Sequence, residues 1–228
     1  MDEFKRKFIQ NFIEDNRYEW LLEGLGNTLT ITFFAAILGI VIGFLIAIIR
    51  STADRTGKLK FLDFLCRVYL TVIRGTPAMI QLLIMFYVIM VSSNNKILIG
   101  VLTFAINSGA YVAEIVRSGI MSIDNGQFEA GRSLGFNYAS TMFHIIVPQA
   151  FKNVLPALMN EFITLLKETS ICGYIGLMDL TRAGDFIRSR TYEAFFPLIA
   201  VALIYLVIVM ILTALVNRLE RRLRVGDR

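Results

Sequence analysis

Two cysteines, Cys66 and Cys172, and a single histidine, His144, are all the thiol and imidazole in 228 residues. No spacing among them suits a metal, and they make no disulfide framework. One imidazole cannot form a metal site alone, so His144 reads as a polar helix residue. No Gly-x-x-x-x-Gly-Lys-Ser/Thr loop occurs, which excludes ATP binding through a phosphate loop. There is no catalytic triad, no paired-carboxylate site of a soluble fold, no strand signal and no internal repeat. Charge is scarce, at 18% of residues. The basic clusters Arg50, Arg55, Lys58, Lys60, Arg67 and Arg218, Arg221, Arg222, Arg224, Arg228 lack interleaved aromatics and follow apolar runs. That argues against nucleic acid as a partner.

What the chain has is apolar length. It is 56% hydrophobic, with a mean hydropathy of +0.63, against about 45–50% apolar in soluble domains. Several runs exceed the ~20 residues that cross a bilayer. The expected fold class is all-α, a polytopic membrane protein of about five transmembrane helices. One integral domain over 24–228 follows an N-terminal amphipathic segment, 1–23. That segment is charged throughout, so no cleavable signal peptide is expected. Its Phe4, Phe8, Phe12 and Ile13, with Tyr18 and Trp20 at headgroup level, suit an interfacial helix.

The first span is expected over about 28–49, introduced by Gly24-Leu25-Gly26-Asn27-Thr28 and closed by Arg50. Gly39 and Gly43 form a Gly-xxx-Gly pair that permits close helix contact. The second, about 61–91, is long enough to tilt and is interrupted at Gly75-Thr76-Pro77, where proline breaks the helix. A third, about 97–116, carries Asn107, Tyr111 and Glu114 on one face; Glu114 and Arg117 can pair at i, i+3. A fourth, about 150–172, is unusually polar. Glu161, Thr164 and Glu168 form one stripe, and Asn153, Asn160 and Lys167 another. Charges inside a span cost about 2.5–3.5 kcal/mol each and face a cavity or a partner. Residues 173–196 are polar and Gly-rich, partly helical over 177–189, and Pro197 opens a fifth span ending near Val216.

Between the third and fourth spans lies a polar island, 124–148. Asp124 and Gln127 have capping-box spacing, so a helix starts at Asn125. Gly135 stops it in the left-handed conformation, and Asn137 can cap the next helix. The small-sided centre, Glu129-Ala130-Gly131, would let another protein approach closely.

Glu129-Ala130-Gly131, Gly135 and Ile145-Ile146-Val147-Pro148 resemble the EAA motif of ABC importer permeases, with Gly131 for the second Ala and Val147 for Leu. Arg74-Gly75-Thr76-Pro77 followed by Gln81, the stretch from Ser108 to Ile120, and Leu165-Leu166-Lys167-Glu168-Thr169-Ser170 are similar to permeases for polar amino acids. The resemblance implies the type I ABC importer permease fold, in a bacterial plasma (inner) membrane. It implies that the helix within 124–136 couples to an ATP-binding subunit, present in two copies, through Glu129, Ala130, Gly131, Arg132 and Gly135. It further implies a second permease chain, as a homodimer or with a close paralogue, and an extracytoplasmic amino-acid-binding protein. ATP and Mg would be bound by the partner ATPase, with no cofactor in this chain, which is then a transport subunit and no enzyme.

Five spans put the two ends on opposite sides. Basic first loop, polar island and basic tail all belong inside, with Met1 outside. Cys66 and Cys172 then lie near opposite faces, unbonded. Expected substrate contacts are Asn160, Glu161, Thr164 and Glu168, with Gln81 and Arg74 behind them. The acid stripe leans toward arginine, histidine or lysine, with glutamine as the neutral option. Two rivals are a secondary transporter using Glu161 and Glu168 as an ion relay, and a membrane anchor with no pathway.

Overall fold

The computed structural model describes residues 2–225, with side chains for 3–222. Met1 and Arg228 lie outside them, as does the side chain of Arg224. No strand occurs among the described residues. The helices in order are α1 (Asp2–Phe8), α2 (Tyr18–Thr56), α3 (Lys60–Gly75), α4 (Ala78–Ile84), α5 (Lys96–Met121), α6 (Asn125–Ser133), α7 (Tyr138–Thr141), α8 (Val147–Glu168), α9 (Leu180–Thr191) and α10 (Phe195–Val225). Widened π turns follow α4 and precede α8, and a 3₁₀ segment, Thr169–Ile175, follows α8.

The N-terminal segment is not one flat amphipathic helix. Asp15 and Asn16 take left-handed backbone angles and break it from α2, whose first turn holds Tyr18 and Trp20. The segment also contacts the rest of the chain. Asn11 and Phe12 are buried, Thr191 donates to the Asn11 amide oxygen at 2.9 Å, and Lys7 pairs with Glu193 at 3.0 Å.

The helix that carries the expected first span is longer than the span: α2 runs unbroken through Gly24–Thr28 for 39 residues. At 1.5 Å per residue that is a rod of about 58 Å. Gly24 marks a crossing: a Cβ there would sit 2.6 Å from the Asp179 carbonyl oxygen. Beside it the Asn27 amide donates to the Met178 carbonyl at 2.8 Å, and the Leu180 N–H donates to the Thr28 hydroxyl at 3.1 Å. Asp179 itself is fully buried and caps α9 by accepting the Arg182 N–H at 2.7 Å. Burial pushes its carboxyl up to about 6, while backbone N–H donors from Arg182 and Gly173 pull the other way.

Against the middle of α2 lies α5, the most buried long helix. Gly39 faces Ala105, Ser108 and Gly109; Gly43 faces Val112 and Ala113; Gly109 in turn faces Ile42. The Gly-xxx-Gly pair therefore does bring two backbones together, and Ile31, Ala35, Phe104 and Leu165 fill the core beside them. With no side chain on Gly39, Gly43 or Gly109, the backbones approach closely and Ser108, Val112 and Ile42 lie over the glycines, the kind of packing that holds helices together in lipid.

Among the described residues, three helices are long and apolar enough to span a membrane: Tyr18–Thr56, Lys96–Met121 and Phe195–Arg222. The pair Lys60–Gly75 and Ala78–Ile89 qualifies jointly but is bent by 107° at Thr76-Pro77, where the sequence breaks the helix. The expected fourth span, α8, is too polar to qualify. It carries Lys152, Glu161, Lys167 and Glu168 and packs against α2, α5 and α10. The helix of the expected fifth span, α10, continues through the basic tail to Val225.

A methyl group at Gly43 would lie 2.4 Å from Val112 Cγ1 and 2.8 Å from the Ala113 backbone nitrogen. Gly43→Ala should therefore destabilise the fold by about 1–3 kcal/mol, read as a lower unfolding temperature in detergent. Val112→Ala in the same chain should restore part of it, the backbone contact remaining.

Candidate functional site

Three clusters of polar residues occupy the bundle. The first joins α2, α3 and α5 near their α6 ends. Arg50 binds Glu114 at 2.6 Å and lies 3.5 Å from Asp63; Asp63 binds Arg67 at 2.8 Å. Arg67 lies 3.5 Å from Asp54, Asp54 3.2 Å from Arg117, and Arg117 3.9 Å from Glu114. The six charges close a ring of alternating sign. Arg50 and Asp63 are buried, so each depends on its partners to offset lost hydration. Arg74 hangs on the ring loosely, 3.8 Å from Glu114 and with its guanidinium 5.7 Å from the Tyr111 ring centre.

Arg50 is buried inside α2, and the expected i, i+3 pair of Glu114 and Arg117 is present. Glu114 takes Arg50 as its near partner, and the i, i+3 contact with Arg117 is the longer one. Sequence reading counted the bases of this region and passed over Asp54 and Asp63. The i, i+4 spacing of Asp63 and Arg67 was the available signal.

The second cluster braces the broken helix. Gln81 donates its amide to the Ile73 carbonyl at 2.7 Å, the Thr76 carbonyl at 3.1 Å and the Thr76 hydroxyl at 2.9 Å. Its oxygen accepts from Asn107 of α5 at 2.9 Å. Gln81 thus occupies carbonyls that the Thr76-Pro77 break leaves without helical partners, and its hydrogen-bonding groups are engaged.

The third cluster is on α8. Ser108, the neighbour of Asn107, donates to Glu161 at 2.9 Å. Glu161 and Glu168 are half-buried, seven residues apart on one face. No lysine or arginine among the described residues forms an ion pair with either. Asn160, Thr164 and Lys167 are exposed. Thr164 lies on the solvent edge of the acid stripe. At 100° per residue it falls between Glu161 and Asn160, and its hydroxyl is turned back to the Asn160 carbonyl at 3.1 Å. Asn153 is also accounted for, donating to Ser122 at 3.1 Å. A cavity of about 350 Å³ opens beside Glu161 and Ser108, walled by Phe44, Phe151 and Phe162. No contact joins Arg74 or Gln81 to the α8 acids directly; the link is the Asn107-Ser108 pair of α5.

Apart from these, α6 stands at the far end. Asp124 caps it by accepting the Gly126 N–H at 2.6 Å. At its other end Gly135 has φ +81°, the Phe136 N–H bonds the Gly131 carbonyl at 3.0 Å and the Gly135 N–H the Arg132 carbonyl at 2.9 Å. That is the Schellman arrangement, which requires a residue tolerant of positive φ. Glu129, Ala130 and Arg132 are exposed, but Gly131 is buried, and a Cβ on it would meet Thr141 at 2.7 Å. Its smallness serves packing on α7 and not access by another protein, which corrects the reading of Glu129-Ala130-Gly131 as one small-sided face. Leu134 and Phe143 are left 73% and 74% exposed around it. His144 holds the Ser140 carbonyl at 3.0 Å beside the rings of Phe136 and Phe143.

The pattern of the family described as "binding-protein-dependent transport system inner membrane component" matches residues 39–225. The chain is 39% identical to the arginine transport system permease protein ArtQ of Bacillus subtilis, over 91% of this chain and 94% of that protein. It is 35% identical to the glutamine transport system permease protein GlnP of Escherichia coli, covering 90% and 93%. Among solved structures, an amino acid ABC transporter with histidines superposes with a TM-score of 0.83 at 42% identity, covering 92% of this chain and 98% of that one. The methionine ABC transporter MetNI shares the fold, with a TM-score of 0.78 at 21% identity.

Arg50→Met should leave Asp63 and Glu114 without their shared cation. The expected loss is about 3 kcal/mol of stability, measured as a fall in unfolding temperature. Glu114→Gln in that background should recover part of it by removing one stranded charge.

Proposed function

This chain belongs to the family of binding-protein-dependent transport system inner membrane components, and from that premise we propose that it carries cationic amino acids across the inner membrane by alternating access. It is the permease subunit of an ABC amino-acid importer, and ATP is hydrolysed by separate subunits. The single observation behind the choice of substrate is the acid pair on α8. Glu161 and Glu168 are half-buried with no ion-pair partner among the described residues, in contrast to the closed ring around Arg50. A carboxylate inside a bundle without a counter-charge is costly, and a passing guanidinium, imidazolium or ammonium would supply that charge.

In this reading the substrate's cationic end meets Glu161 and Glu168, with the exposed groups of Asn160 and Thr164 next along α8. Its carboxylate can meet Arg74, which is half-exposed and whose ion pair with Glu114 is long, at 3.8 Å. Gln81 acts indirectly, by holding the bend that turns α4 toward α5. Glutamine is the alternative substrate, since a relative named for it is 35% identical.

The five-span topology with α6 in the cytoplasm fits this role. Glu129, Ala130 and Arg132 then face an ATP-binding subunit, Gly131 holds α6 against α7, and Gly135 ends it. Two ATPase copies, a second permease chain and an extracytoplasmic binding protein complete the assembly. Binding and hydrolysis of ATP would move α6, tilt the helices and expose the α8 acids to one side and then the other.

Reconstituted with its partners, Glu161→Gln should lower arginine uptake about tenfold, as loss of a charged contact implies, while the complex still assembles. Unchanged arginine uptake would remove Glu161 from the pathway. Glutamine uptake lowered as much as arginine uptake would favour the neutral substrate.

A further inference from the structure

Arg55 was counted above only as one base of a flank, yet it alone makes the ion, ring or side-chain hydrogen-bond contacts that the described residues show between α2 and α6. Its guanidinium carbon lies 3.5 Å from the centre of the Phe128 ring, and one of its nitrogens lies 3.3 Å from the Asn125 side-chain oxygen. Phe128 is the buried large side chain of α6, stacked near-parallel to Tyr138 and clustered with Val116, Ile120, Ile146 and Ala150. The cation therefore sits on the one side chain that roots α6 in the bundle.

What lies behind Arg55 makes this contact mechanical. Its neighbour Asp54 belongs to the charged ring, through Arg67 of α3 and Arg117 of α5. One turn earlier, Arg50 belongs to the same ring. A push on Arg55 thus reaches three helices that are tied by alternating charges. It also reaches the far end of α2, because no proline or break interrupts the rod before Gly24, Asn27 and Thr28 grip the Asp179-Leu180 corner. Arg55 itself is exposed, so no core depends on it, and a solvent-side arginine held over a ring gains modestly from that contact.

We infer that Arg55 is the positioning residue that passes movement of α6 into α2, so that ATP hydrolysis is converted into displacement of the bundle. This rests on α6 being the docking helix. The experiment uses the full complex with its ATPase and binding protein in proteoliposomes. It measures substrate moved per ATP hydrolysed. It also measures the yield of a cross-link from Ala130→Cys to the ATPase subunit, the native Cys66 and Cys172 being buried. Arg55→Ala should lower substrate per ATP about fivefold or more, with the cross-link yield unchanged. Arg55→Lys, which keeps a cation over the ring, should recover at least half. An unchanged ratio in Arg55→Ala overturns the inference. A cross-link that falls in step with uptake also overturns it, because the defect would then be lost docking. Equal loss in both variants overturns the cation–ring contact as the link. No cross-link in the chain with Arg55 intact would overturn the docking reading of α6, and this inference with it.

Discussion

Two backbones in near contact hold this bundle in register. Gly39 and Gly43 of α2 meet the backbone of Ala105, Gly109 and Ala113 of α5 and the side chains of Ser108 and Val112. In lipid the hydrophobic effect does not drive apolar helices together, so close approach and dispersion must hold them. Once α2 and α5 are fixed, the other positions follow. Asn107 and Ser108 are set on α5 to meet Gln81 on one side and Glu161 on the other. Arg50 is set on α2 to meet Glu114.

The same scaffold treats charge in two opposite ways. Near α6, six charges cancel in a ring that spans α2, α3 and α5. On α8, two carboxylates are half-buried without an ion pair among the described residues. The ring ties helices together; the α8 pair does not. Total charge does not separate these cases, since both contain acids within long helices. Partners separate them, and partners come from different parts of the chain.

Much of the local structure could be read in advance. The Pro77 break, the cap at Asp124, the left-handed stop at Gly135 and the cap at Asn137 each depend on residues within a few positions of one another. What could not be read in advance was settled by contacts between residues apart in the chain. Gly24 is a gap for the Asp179 carbonyl, and Gly131 is a seat for Thr141. Gln81 braces the break it adjoins and reaches Asn107, 26 residues on. Arg50 is buried by acids 13 and 64 residues further along.

The sequence by itself determined the all-helical membrane class, the places where helices break or are capped, and the family, because each depends on short-range periodicity, backbone stereochemistry and motif spacing. Only the tertiary structure decided which charges are cancelled, which glycines are gaps, and that a flank arginine rests on the Phe128 ring. The physical reason is that side-chain electrostatics and packing act across a few ångströms of space, and the folded bundle makes neighbours of residues that the chain holds far apart.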